Sequence, residues 1–249
     1  VGFGTMNKIG NEHICYGPQM ISSEHTFGWI VSAFPPKDVE PKSALVMGNN
    51  CHETVPQMMT GMHFWRQAGV KIVSVDPRLT ETGRLANLWL QIKPGTDIAL
   101  LLAWLRLIIK NEWYEQEFVE EWTNAPFLVR TDTNKILRAE DVVDDVPRDA
   151  FVVWNTKTNA PAIWNGEERT FLEEGVEKAL EGSYTVQLKD GSAVDCKTAW
   201  TLLIERVEEW TPEKAEEFTT VPKDKIEEAI EIYATNKPGF FMTGGHVYD

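Results

Sequence analysis

The chain has 249 residues, 43% of them hydrophobic and 25% charged, the composition of a globular protein with a sizeable core. Its formal net charge of −14 excludes a broad phosphate-tracking face, so neither nucleic acid nor an anionic membrane is expected as a partner. A nucleotide held by backbone amides in one pocket needs no basic field and is not excluded.

Residues 1–35 carry Gly, Ser and His, with one helix predicted near 18–32, and the proline-rich "FPPKDVEPK" (34–42) marks the first boundary. An alternation comes next. "SALVMG" (43–48) is a short apolar strand ending in Gly-Asn-Asn, and "VPQMMTGMHFWRQAG" (55–69) has helical spacing with Gly69 as C-cap. "VKIVSV" (70–75) is a β-branched strand stopped by Asp-Pro, and "LWLQI" (88–92) is a third. "TDIALLLAWLRLIIKNEW" (96–113) is a strong helix with Thr96 or Asp97 at its N-cap. Such alternation implies βαβ units and a parallel sheet.

Residues 124–196 change character. Short β-like pieces at 126–130, 151–155 and 184–188 are separated by polar turns such as "KDGS" (189–192), with helical spacing only at 171–180. Helices return at 197–210, 211–219 and 222–236, the last two with Pro in the first turn. "GFFMTGG" (239–245) reads as a last buried strand opening into glycines. The expected fold class is α/β: a Rossmann-like parallel sheet flanked by helices, with a peripheral β-containing insertion and pieces of a neighbouring domain. The tryptophans at 104, 113, 122, 200 and 210 sit at helical spacings and read as packing.

Ligands of open α/β sheets bind beyond the carboxyl ends of the strands, and three such ends carry polar residues. In "GNNCHETVPQ" (48–57), Gly48 allows a sharp turn before a helix whose free N–H groups can meet an anion; Asn49 and Asn50 can equally be ordinary turn and cap residues. There is no dinucleotide fingerprint and no P-loop. In "VDPR" (75–78), Asp76 can accept from ribose hydroxyls and Arg78 can reach a phosphate or a base; alternatively Asp76 caps the turn before Pro77 and Arg78 is a solvated ion-pair partner. In "KPGTDIAL" (93–100), after Pro94 and Gly95, Asp97 can accept the paired donors of guanine or serve only as a helix cap.

Three widely spaced cysteines (15, 51 and 196) make no disulfide framework and no Cys-x-x-Cys metal site, so reduced thiols are expected. Cys15 in "NEHICYGPQ" is open to three readings: buried small hydrophobe, half of a disulfide, or soft metal ligand. No apolar run approaches the roughly 20 residues that cross a bilayer, and the opening "VGFGTMNKIGNE" lacks a signal-peptide layout. Both ends look cut, so a piece of a larger protein is expected. Its compartment is left open between cytoplasm and export.

The stretch "KIVSVDPRLTETGRLANLWLQIKPGTDIALLLAWLRLIIKNEW", taken with the upstream Gly-Asn-Asn, resembles the molybdopterin oxidoreductases of the dimethyl sulfoxide reductase superfamily. The likeness covers about residues 10–123 and returns near 205–245, with Asn87 standing where the family usually has Asp. The resemblance implies roles for individual residues. Under it, Cys15 matches the position of the molybdenum or tungsten ligand, and Asn11 a position that contacts the pterin. His13 or Tyr16 is a candidate proton donor to substrate, and Gly244 and Gly245 lie where a second cofactor-binding stretch begins. Gly48, Asn49, Asn50, Asp76, Pro77, Arg78, Pro94, Gly95 and Asp97 would line one guanine dinucleotide. Cys51 and His52 match no ligand position and read as structural or rim residues, and Cys196, after a hairpin, reads as core.

The implied cofactor is bis-(molybdopterin guanine dinucleotide) with Mo or W, a [4Fe-4S] cluster being expected only in a missing amino-terminal part. The implied partners are the remaining domains of the enzyme and an iron–sulfur electron-transfer subunit. The resemblance makes 1–35 part of a neighbouring domain with the metal-ligand loop, and 36–123 the dinucleotide domain. Residues 124–196 are the insertion, and 197–249 are helices returning to the neighbouring domain. The expected activity is two-electron redox chemistry on a small substrate, by oxygen-atom transfer or dehydroxylation. A hydratase of the same family, and a guanine-nucleotide module without metal, are the alternatives.

Overall fold

The computed structural model describes residues 16–28, 40–54 and 56–243. These form two compact units, one running to Trp113 and resuming at Trp210, the other being Tyr114–Glu209.

The first unit begins with α1 (Tyr16–Phe27), β1 (Ser43–Met47), the short α2 (Cys51–Thr54), α3 (Pro56–Gln67) and β2 (Lys71–Val75). It continues through α4 (Glu81–Leu85), β3 (Leu88–Leu90) and α5 (Asp97–Lys110). Every residue of β1 and all but the first of β2 are buried, because both faces of the sheet are covered; that is why these strands read as apolar runs and not as alternating patterns. Successive side chains still part to opposite sides. Leu45, Met47, Val73 and Val75 pack with Leu100, Trp104 and Ile230, whereas Ala44, Val46 and Ile72 pack with Met62 and Val70. Gly69, at φ +85°, ends α3 as the spacing predicts: its N–H donates to Arg66 O while that of Val70 donates to Trp65 O. This is the paired Schellman closure, which needs a left-handed residue.

The second unit contains α6 (Gln116–Trp122), β4 (Leu128–Arg130), β5 (Ala150–Asn155), β6 (Ala160–Asn165) and β7 (Thr170–Phe171). After these come β8 (Ser183–Gln187), β9 (Ala193–Thr198) and α7 (Ala199–Glu208). Its strands form two antiparallel sheets, ordered β4-β9-β8 and β5-β6-β7. Both α6 and α7 belong to it, so the unit is wider than the 124–196 expected from its polar turns. The helical spacing at 171–180 makes no helix. That backbone is bonded across to β5, with Thr156 N–H donating to Glu177 O and Ala179 N–H to Trp154 O, and Gly175 turns it at φ +70°.

The chain then returns to the first unit with α8 (Pro212–Thr219), α9 (Lys223–Thr235) and β10 (Gly239–Thr243). Thr211 caps α8 by accepting from Lys214 N–H, with Pro212 at the first helical position. Strand β10 pairs in parallel with β1, so the sheet order is β10-β1-β2-β3. Strand β10 therefore joins the same sheet as residues 43–90. Strand β10 is an edge strand and only half buried: Met242 is enclosed but Phe241 is exposed. Among the tryptophans, Trp104 and Trp200 are buried, while Trp122 is 73% exposed and packs no core.

Candidate functional site

The four described strands of the first unit run the same way, so the loops that follow β1, β2 and β3 open on one edge. The first loop leaves β1 at Gly48, φ +57°, whose N–H donates to Val75 O at 2.9 Å and ties the turn to the end of β2. The main-chain oxygen of Asn50 accepts from Glu53 N–H and Thr54 N–H, both at 3.1 Å, and from the Thr54 hydroxyl at 2.9 Å. Those amide donors are thus already used, and α2 has only four residues, so the helix terminus offers little to an anion. The Asn50 side chain offers more. Its Oδ1 accepts from the Thr82 hydroxyl at 3.4 Å, and its Nδ2 is buried without a partner. An unpaired buried amide nitrogen costs about 1–3 kcal/mol.

The second loop is fastened at several points. Asp76 N–H donates to Leu90 O, and Asp76 Oδ1 accepts from Arg78 N–H at 2.8 Å, the turn-capping role. Trp89 Nε1 donates to Asp76 O at 3.0 Å, and Gln91 Nε2 to Pro77 O at 3.2 Å. Arg78 pairs with Glu53 at 3.3 Å, both side chains largely in solvent, which links the first two loops at little gain in stability. Asn87 bonds both ways with the main chain of Ile72, at 2.9 and 2.7 Å, extending the β2–β3 pairing by one residue.

In the third loop, Thr96 occupies the N-cap position of α5 but makes no side-chain cap; its hydroxyl donates back to Lys93 O at 2.6 Å. Asp97 stands in the first turn of the helix. Pro94 and Gly95 are exposed, and Gly95 holds φ +78° with open space where a Cβ would project.

The structure brings Gly48, Asn49, Asn50, Asp76, Pro77, Arg78, Pro94, Gly95 and Asp97 to one edge. Asn11, His13, Cys15, Gly244 and Gly245 lie outside the described residues; Tyr16 opens α1. Cys51 is buried, its thiol donating to Asn49 Oδ1 at 3.4 Å beside Met242 Sδ at 3.5 Å. Burial pushes that thiol up, and pushes Cys196 to about 11, so both are neutral packing groups. Sequence reasoning missed Thr82 and Trp89. Thr82 is fully buried beneath the first loop; the only local signal was "TETGR" (80–84), where Thr80 accepts from Gly83 N–H as a helix cap.

The family model for molybdopterin oxidoreductases matches residues 5–238. The chain belongs to that family. It is 33% identical to a perchlorate reductase subunit alpha of Dechloromonas aromatica, the match covering 74% of this chain and 23% of that protein. It is 27% identical to a dopamine dehydroxylase of Eggerthella lenta, over 93% of this chain and 30% of that one. The chain therefore spans less than a third of either relative. Among solved structures, the acetylene hydratase of Pelobacter acetylenicus superposes with a TM-score of 0.58 over 98% of this chain and 23% of that one, at 20% identity. That likeness shows the fold.

Proposed function

We propose that the three-loop edge holds one guanine dinucleotide arm of a molybdopterin cofactor, and that the intact protein is a molybdenum or tungsten oxidoreductase. The observation that carries this reading is the buried, unpartnered Asn50 Nδ2 inside a loop that the family model covers. The donor set fits the group. Asn50 Nδ2 donates to a phosphate or carbonyl oxygen. A carboxylate accepts at both oxygens, so Asp76 can hold its turn with Oδ1 and take ribose hydroxyls with Oδ2. Arg78 lies in solvent beside it and can exchange Glu53 for a phosphate. Asp97 accepts the adjacent N–H donors of guanine, and Gly95 leaves the backbone approachable.

When bound, the cofactor supplies two-electron exchange at its metal with a small substrate, by oxygen-atom transfer or dehydroxylation. Cys15 would ligate that metal as thiolate, a soft donor suited to it. Asn11, Gly244 and Gly245 would contact pterin, with His13 or Tyr16 moving a proton at the substrate. Hydration is the second reading, favoured by the Cys15-Tyr16-Gly17 context. The relative named as a subunit alpha supports a larger assembly, in which an iron–sulfur electron-transfer subunit would be the partner.

The test is metal and nucleotide analysis of the matured, full-length protein. Molybdenum or tungsten released together with guanine nucleotide is the expected result, and Cys15→Ala should remove the metal-centred activity while leaving the fold. Guanine nucleotide without either metal would leave a plain nucleotide module. Neither one would remove the proposal altogether.

A further inference from the structure

Among the described residues, no cluster of three or more His, Cys, Asp or Glu side chains is arranged to hold a metal ion. One pair nevertheless has the geometry of a chelate. His52 on α2 and His63 on α3 present their Nε2 atoms to each other at 3.4 Å, with the ring planes inclined at 79°. Two imidazole nitrogens on one tetrahedral cation lie about 3.3 Å apart, given metal–nitrogen bonds of about 2.0–2.1 Å. The two histidines already stand at that separation.

The hydrogen bonds around His52 select the right form of its ring. The Thr82 hydroxyl gives its proton to Asn50 Oδ1, which leaves the Thr82 oxygen to accept from His52 Nδ1–H at 3.2 Å. With the proton on Nδ1, the lone pair of His52 is on Nε2, facing His63. A metal-bound histidine is commonly held this way by a partner on its other nitrogen. Burial and the neighbouring His63 lower the pKa of His52, against the opposing pull of Glu81. In the bare pair a proton on His63 Nε2 bridges the two rings. A cation takes its place, and that proton moves to the solvent or to His63 Nδ1 on the exposed side of α3.

We propose that His52 and His63 form a two-histidine site for a borderline divalent transition-metal cation of the zinc, nickel or copper class, with water completing the coordination. Imidazole pairs suit these ions and not Mg²⁺ or Ca²⁺, which take oxygen ligands. The site uses none of the residues proposed above to hold the molybdopterin metal and does not depend on the dinucleotide reading. Its link to the rest of the unit is Thr82, through which an occupied His52 holds the hydroxyl that Asn50 receives.

Cu²⁺ titrated into the intact protein, read by electron paramagnetic resonance and calorimetry, tests it. The expected result is one saturable site showing coupling to two imidazole nitrogens, absent in both His52→Gln and His63→Ala. Because His63 is exposed, its loss should not disturb folding, and circular dichroism on the same sample checks this. Thr82→Val, which keeps the buried shape but removes the hydroxyl, should weaken the site about tenfold. A titration of His63→Ala identical to the unaltered protein, or single-imidazole coupling that survives either substitution, would overturn the proposal.

Discussion

The two units treat their turn asparagines differently. In the second unit Asn155 and Asn165 are buried, and each side-chain oxygen is used by the chain itself. Asn155 Oδ1 accepts from Lys157 N–H and Glu177 N–H, and Asn165 Oδ1 from Glu167 N–H and Glu168 N–H. Those residues close turns. In the first unit Asn50 closes its turn with its main-chain oxygen, leaving the amide nitrogen enclosed and unpaired. A turn that needs its side chain is structure; Asn50, whose side chain reaches only the Thr82 hydroxyl and leaves Nδ2 unpaired, is available for a ligand. Unpaired buried nitrogens also occur at Arg138, Trp200 and Trp210, but Asn50 alone among these four stands in the three loops.

The contrast can be broken most forcefully in the two cores. Leu100 and Leu137 are both fully buried, one in each unit, and truncating either to Ala should cost about 2–5 kcal/mol in chemical denaturation. Only Leu100→Ala should also weaken guanine-nucleotide binding. Loss of binding in Leu137→Ala would erase the division of labour. Next, Asn155→Ala strands two amides and should cost about 1–3 kcal/mol in thermal unfolding. Asn50→Ala should lower stability by less and nucleotide affinity by more.

Gly95→Ala meets no neighbouring atom but forces a side chain into the left-handed region, at a cost of about 1–2 kcal/mol. A drop in nucleotide affinity beyond that cost, measured by calorimetry, would indicate close backbone approach by the ligand. The mildest effect is one of pH. The folded Cys196 keeps its proton to about 11, whereas its ordinary value is 9.0. The folded state therefore binds more protons between those values, so stability is full below pH 9 and falls as the pH rises through that window. Cys196→Val should flatten this slope in denaturation curves.

How much was legible in the sequence depends on how local the causes are. Strands β1 and β2 showed themselves because both faces are buried, and the three loops because Gly48, Asp76-Pro77 and Pro94-Gly95 punctuate them. Residues whose roles rest on distant partners did not show. Thr82 matters through atoms 30 and 32 positions away. The spacing at 171–180 imitates a helix, yet its amides and carbonyls belong to β5. Trp122 shares helical spacing with core tryptophans but lies on the solvent side of α6. The place of β10 was hidden for the same reason, since nothing near residue 239 marks β1 as its neighbour.

That long reach has a consequence for synthesis. The Ser43 hydroxyl contacts the carbonyls of Tyr233 and Asn236, 190 and 193 residues later in the chain. At about 5–20 residues per second, the ribosome needs roughly 10–40 s to travel that far. Throughout this interval β1 has β2 on one side and a bare main-chain edge on the other, an open template for wrong pairing. The second unit, contiguous in sequence, can finish folding while the first still waits for its last strand. A chaperone's cover is therefore most needed along the open edge of β1, until Gly239–Thr243 emerges to pair with it.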